Sequence, residues 1–314
     1  MTGPQDAPSQ AVAATGAGGS IYDLGYQGYR GPRLGRASAV RALFAQSLRA
    51  AYGIGRGGRA KIAPFTLLVL AVLPAIVAVG VAALVNQLGP GGDDLGEISP
   101  IRYETYQNLT IPLIQLFCAA QAPELFGRDQ RYSVLPLYFS RALARVDYAL
   151  ARIGGLVVAI FLVYAIPQSI LFLGRVLVAP DPVTGFVAEA PAVPRIVLQG
   201  ALVALVLGGL SALIAAWTPR RAYATAAIIA VAIVPPIVVA LIANQATQDI
   251  ARIIVFASPS DVLDGANAAI FGSLPDSPTV AAIDLPGAAY IAASIAWIVA
   301  TIGLTIRRYQ RIAA

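Results

Sequence analysis

The side chains that carry covalent chemistry are almost absent from this sequence. It contains no histidine. That excludes Ser-His-Asp and Cys-His nucleophiles, the HExxH metalloprotease signature, histidine-ligated haem and most zinc catalysis. The single cysteine, Cys118, leaves no disulfide within the chain and no CxxC pair. The single lysine, Lys61, lies between Ala60 and Ile62, whereas a P-loop needs Gly-Lys followed by Ser or Thr. Gly53-Ile-Gly55-Arg-Gly57-Gly58 does satisfy GxGxxG. It follows an amphipathic stretch and precedes a long apolar run, not a strand–turn–helix unit, so it reads as a hinge.

The polar side chains inside the apolar runs form patterns instead. Asn108 and Gln115 are seven residues apart, with Thr110, Cys118 and Gln121 nearby, and Tyr164, Gln168 and Arg175 recur at i, i+4 and i+11. On a helix each set makes a stripe along one face. Two readings stay open for Asn108, Gln115, Gln121, Tyr164 and Gln168. They line a substrate path or dimer seam, or they bond neighbouring spans to one another. The apolar runs carry no charged residue in their middles, and Glu124 and Arg175 lie near their ends. Ion-coupled carriers place a titratable group at mid-membrane, so that class is disfavoured.

Helices must hold these stripes, and composition says in what solvent. Of 314 residues, 58% are hydrophobic and 12% charged, where soluble chains carry about 25% charged residues. Mean hydropathy is +0.73. A chain this apolar cannot cover itself with polar groups in water, so it reads as a polytopic membrane protein. Six runs are long enough to cross about 30 Å of hydrocarbon: residues 62–87, 106–126, 153–178, 196–217, 223–245 and 286–306. Residues 1–36, rich in Gly, Ala, Ser, Pro and Gln, read as a disordered cytoplasmic tail ahead of a transmembrane domain over 37–314.

From Ser38 to Tyr52, Val40, Leu43, Phe44, Leu48 and Ala51 share one helical face, opposite Arg41, Gln46 and Arg49. That pattern predicts an amphipathic helix on an anionic membrane surface. Between the fifth and sixth runs, 250–256 and 262–271 are apolar but too short to span, and Pro259 separates them. They read as two short helices dipping into or lying on the outer face, with Ser260 or Asp261 capping the second.

Eighteen of the 22 basic residues fall before the first run, in the second–third and fourth–fifth connections, or after the sixth. Only Arg102, Arg175, Arg195 and Arg252 fall on the other side, so both termini are expected in the cytoplasm. Basic residues placed at the ends of apolar runs set orientation, and nucleic acid is not an expected partner.

The connection 127–152 holds five arginines, Asp129 and Asp147, and also Tyr132, Leu135, Leu137, Tyr138 and Phe139. So much apolar surface rimmed by charge suggests a docking site for another protein, or packing on the membrane-proximal ends of the helices. Asp129, Val134-Leu135, Leu137, Ser140, Arg145, Asp147, Leu150 and Arg152 resemble the cytoplasmic loop of permease subunits of type-two ATP-binding-cassette exporters. Ala142 and Ala151 stand where that family has Pro and Gly. The amphipathic helix, six spans and paired outer helices are similar to that family's architecture over about 38–311. The run 21–36 is similar to a lead-in of actinobacterial permeases.

The resemblance implies an all-α integral membrane protein with six transmembrane helices, an N-terminal amphipathic interfacial helix and short extracellular re-entrant helices between spans five and six. It implies a plasma-membrane permease subunit without catalysis, cofactor or metal of its own, embedded in membrane lipid. Its partners would be a second permease copy or paralogue, and a separate ATPase subunit that binds ATP and Mg. The ATPase-docking residues would be Asp129, Tyr132, Leu135, Leu137, Tyr138, Arg141 and Arg145. The competing expectation is a non-transport membrane assembly or scaffold protein that uses the same patch.

Overall fold

The structure, a computed structural model, describes residue 31 and residues 34–88, 102–140 and 143–312. Most of the expected tail, the acidic stretch 93–97 and Arg141 lie outside the described residues. Every regular element among those described is helical. Apolar runs of this length have one economical way to satisfy their backbone groups in hydrocarbon, which is to bond them within the segment.

The elements run α1 (Gly35–Ala51), α2 (Arg59–Leu88), α3 (Tyr103–Ala122), α4 (Arg128–Arg131), α5 (Leu135–Phe139), α6 (Arg145–Val178) and α7 (Pro182–Glu189). They continue with α8 (Ala192–Trp217), α9 (Arg221–Ala243), α10 (Gln248–Ile254), α11 (Pro259–Phe271), α12 (Pro278–Ile283) and α13 (Gly287–Gln310). Six helices are long and apolar enough to cross a membrane: α2, α3 extended through α4, α6, α8, α9 and α13. α8 and α3 are the inner ones, with 67% and 61% of their most apolar windows buried, against 11% for α9. α2 and α9 turn Ile62, Phe65, Val69, Ile233, Ile237 and Leu241 outward. Such a surface suits hydrocarbon and not water.

Two span limits differ from the sequence reading. α6 starts at Arg145, eight residues early, and α3 runs on through a π-helical turn, Pro123–Gly127, into α4. The connection of 26 residues therefore shrinks to the stretch between Arg131 and Arg145. The cause is local. The Asp147 carboxylate accepts the backbone N–H of Ala144 at 3.1 Å and so caps the early start of α6.

α1 begins at Gly35, three residues before the Ser38 start read from the sequence. Its apolar face packs on α6, with Leu43, Ser47 and Ala51 buried. Gly155 makes that approach possible: a Cβ there would stand 2.5 Å from Ser47 Cβ and 3.0 Å from the Leu48 nitrogen. Arg36 reaches Asp147 with two bonds of 2.6 and 2.8 Å, and Tyr52 donates to the Ala159 carbonyl at 2.8 Å.

Between the fifth and sixth spans, α10 with its 3-10 extension and α11 meet at a bend of 102°. The cap of α11 is Ser258, whose hydroxyl accepts the Asp261 N–H at 3.3 Å. Ser260 and Asp261 cannot serve because Pro259 opens the helix and holds the residue before it extended. α11 does more than rest on an outer face. Val262, Leu263 and Ala266 are buried, and the helix packs on α13, α8 and α3. α7 and α12, each shorter than nine residues, gave no period to read in the sequence.

The α1–α6 contact predicts a contrast between adjacent glycines. Gly154→Ala meets only the Phe44 ring at 3.4 Å and should leave the melting temperature unchanged or raise it. Gly155→Ala should destabilise by about 1–3 kcal/mol, the usual cost of overpacking. Thermal unfolding of the two purified variants in detergent checks this.

Candidate functional site

Two polar centres stand out, one at each end of the bundle. The first lies at the arginine-rich end, where the α3–α4 extension, α5 and the start of α6 meet. Asp129 and Arg152 form an ion pair there, with Arg152 4% exposed and Asp129 9%. The Asp129 carboxylate also accepts the Tyr148 hydroxyl at 2.7 Å. A buried pair of charges is tolerable only when further hydrogen bonds satisfy it, and Tyr148 supplies one.

Tyr148 is the hub of this centre. Its ring lies 5.3 Å from Tyr138, 5.9 Å from Phe139 and 5.3 Å from Tyr309. Gln130 donates to the Ala216 carbonyl at 3.1 Å and to the Tyr309 hydroxyl at 3.2 Å. Arg145 donates to the Gln310 carbonyl at 3.0 Å and lies over the Phe139 ring. The ends of spans two, three, four and six are thus tied together beneath α5. Five residues cannot hold a helix alone, so α5 exists because Tyr148 supports it.

The seven residues read as a docking surface fall into distinct places. Tyr132 and Leu137 are exposed, at 64% and 68%. Tyr138 is half-buried against Tyr148. Arg145 joins α6 to α13. Asp129 and Leu135 are buried, so they brace the platform from inside and do not face outward, a correction to their reading as surface. Tyr148, Tyr309 and Gln130 were not singled out in the sequence. Their signal, aromatic and amide groups at the basic ends of spans, was present but diffuse.

The π-helical turn aims Glu124 at the same end, where it pairs with Arg56 at 3.3 Å and Arg221 at 2.6 Å. A π turn inside a helix adds one residue and often marks a functional position.

The second centre holds α11. Gln107 donates to the Leu263 carbonyl at 3.2 Å and accepts from Gln199. Asn267 donates to the Glu104 carbonyl at 2.9 Å, and Gln115 to the Ser260 hydroxyl at 3.0 Å. Asp264 accepts the N–H groups of Asp276 and Ser277, Asp261 accepts the Ser277 hydroxyl, and Asn108 bonds Asp276. Asn108 and Gln115 therefore meet at a cleft of about 320 Å³ shared with Asp261, Asp264 and Asp276. Tyr164, Gln168 and Gln121 are buried elsewhere. Gln168 donates to the Tyr103 carbonyl at 3.0 Å and to the Tyr164 hydroxyl at 3.3 Å, tying span three to span two. The five stripe residues do not share one surface in the structure. Among the described residues, no group of three or more His, Cys, Asp or Glu side chains is arranged to hold a metal ion.

The basic-end knot yields a test. Arg152→Met strands a buried carboxylate and should destabilise by about 3–5 kcal/mol. Adding Asp129→Leu should restore part of that loss, because it removes the stranded charge but leaves the buried Tyr148 hydroxyl without its acceptor. Thermal unfolding of the two single variants and the double variant reads the difference. No protein-family model matches the sequence and no curated protein does.

Proposed function

We propose that the chain is the membrane-spanning permease half of an ATP-driven exporter, and that α5 is its coupling element. The observation that carries this reading is the platform itself. A helix of five residues stands between spans two and three, wedged on Tyr148, and turns Leu137 outward, and Tyr132 is exposed as well. A short rigid element with exposed apolar anchors suits reception of a push from a partner protein. A solvated loop needs neither the anchors nor the bracing.

In this reading, two copies of the chain, or this chain and a paralogue, form the pore in the plasma membrane. A separate ATPase subunit binds ATP and Mg and docks on Tyr132, Leu137 and the edge of Tyr138. Its movement passes through Tyr148 and the Asp129–Arg152 pair into α6. The platform lies at the cytoplasmic end, in keeping with the crowding of arginines there. The bent α10–α11 pair closes the external end, held by amide side chains from spans two and four. Energy comes from the partner, in keeping with spans that carry no charge in their middles.

Leu137→Asp tests the coupling. Loss of a central apolar anchor typically costs about 2 kcal/mol or more, so the variant should retain its ATPase at least tenfold more weakly while melting as the wild type does. Export into vesicles by the wild-type complex should continue when the proton gradient is collapsed with ATP present. If no ATP-binding-cassette ATPase co-purifies with the wild-type chain, the scaffold reading takes its place.

A further inference from the structure

A cleft of about 890 Å³ opens at the basic end between α1, the loop that follows it and the α3–α4 junction. Four arginines line it, Arg49, Arg56, Arg128 and Arg152, against two carboxylates, Glu124 and Asp129. The charges do not balance. Asp129 is occupied by Arg152, and Glu124 is shared between Arg56 and Arg221. Among the described residues, the Arg49 and Arg128 side chains have no ion-pair or hydrogen-bond partner. The Nε of buried Arg152 has none either.

The arginines also act on one another. Burial holds the Arg56 guanidinium below its usual value. Glu124 opposes this, and the like charges of Arg128, Arg152 and Arg221 add to it. An anion in the cleft would relieve that repulsion.

The surroundings point to its chemistry. A guanidinium fork matches phosphate oxygens with two parallel N–H bonds. Tyr132 and Tyr138 add hydroxyl groups to the cleft wall. Ile54 lines the same cleft and is half-exposed, and the chain leaves it onto α2, whose first turns expose Ile62 and Phe65. Phosphate-binding groups thus adjoin an outward-facing apolar helix, as a lipid with a charged headgroup requires.

We propose that this cleft binds the phosphate of an anionic phospholipid headgroup, gripped by Arg49 and Arg128, and that the lipid fastens α1 to the bundle. A soluble phosphate offers the same chemistry without the acyl chains. The test uses the full-length chain alone in detergent, so its outcome is independent of any ATPase. Native mass spectrometry and thermal unfolding are run with phosphatidylglycerol, phosphatidylcholine or inorganic phosphate.

Phosphatidylglycerol should be retained in preference to phosphatidylcholine and should raise the melting temperature. The double variant Arg49→Gln/Arg128→Gln should bind it at least tenfold more weakly, and Arg195→Gln, at the opposite end, should bind it normally. Arg49→Lys/Arg128→Lys keeps the charge and loses the forks, so it should weaken binding by a smaller factor. It also serves if the glutamine variant does not fold. Stabilisation by millimolar inorganic phosphate alone, lost in the same variants, would support the phosphate site and assign it a soluble ligand. Equal retention of the two lipids, or unchanged binding in both double variants, would overturn the proposal.

Discussion

The burial of Asp129 and Arg152 against each other is the constraint around which the basic end is built. Two charges removed from water cost more than their attraction returns unless geometry and further hydrogen bonds close the account. Here the Tyr148 hydroxyl supplies one of those bonds, and the Tyr148 ring packs against three aromatic neighbours. The arrangement forces the chain between spans two and three to stay short. It begins α6 well before the apolar run does, and it gives α5 a surface to stand on. α1 is fixed to the same helix through Gly155 and through Arg36 on Asp147. α6 therefore carries both α1 and the platform, which makes it the natural lever in the proposed coupling.

The opposite end follows a different rule. Hydrocarbon gives little reason for one apolar helix to prefer another, so polar side chains and small residues set the contacts. Gln107, Gln199, Gln115 and Asn267 bond backbone or side-chain groups and so decide where α11 sits. Gly265 lets Tyr290 of α13 lie directly against that helix, since a Cβ there would stand 2.4 Å from the ring. An element placed by a few directional bonds can be moved by changing a few bonds. The buried amide oxygens of Gln168, Gln199 and Asn267 have no partner among the described residues, so this end has hydrogen-bonding capacity still unused.

Much of the architecture was legible in the sequence. Six apolar runs, an amphipathic first helix and a broken apolar pair after the fifth run all leave strong periodic or length signals. α1, the six long helices and the bent α10–α11 pair occupy those places. Part of what was not legible depends on tertiary contact. The early start of α6 rests on Asp147 as a cap and on an ion pair between residues 23 apart. Ser258 caps α11 because Pro259 follows it, a rule that was available in the sequence and that Ser260 and Asp261 obscured. The polar stripes were visible as stripes. Only the packing could separate Asn108 and Gln115, at a cleft, from Tyr164 and Gln168, closed between spans.

The proposed coupling requires that α5 and the first turns of α6 form one mechanical body. Hydrogen–deuterium exchange of the chain in lipid nanodiscs reads this directly, because amides in one cooperative unit open together. Residues 135–139 should share the protection of residues 145–152, and Tyr148→Ala should release the first set while leaving the second protected. Exchange of 135–139 at the rate of a free loop in the wild-type chain, with 145–152 still protected, would contradict it.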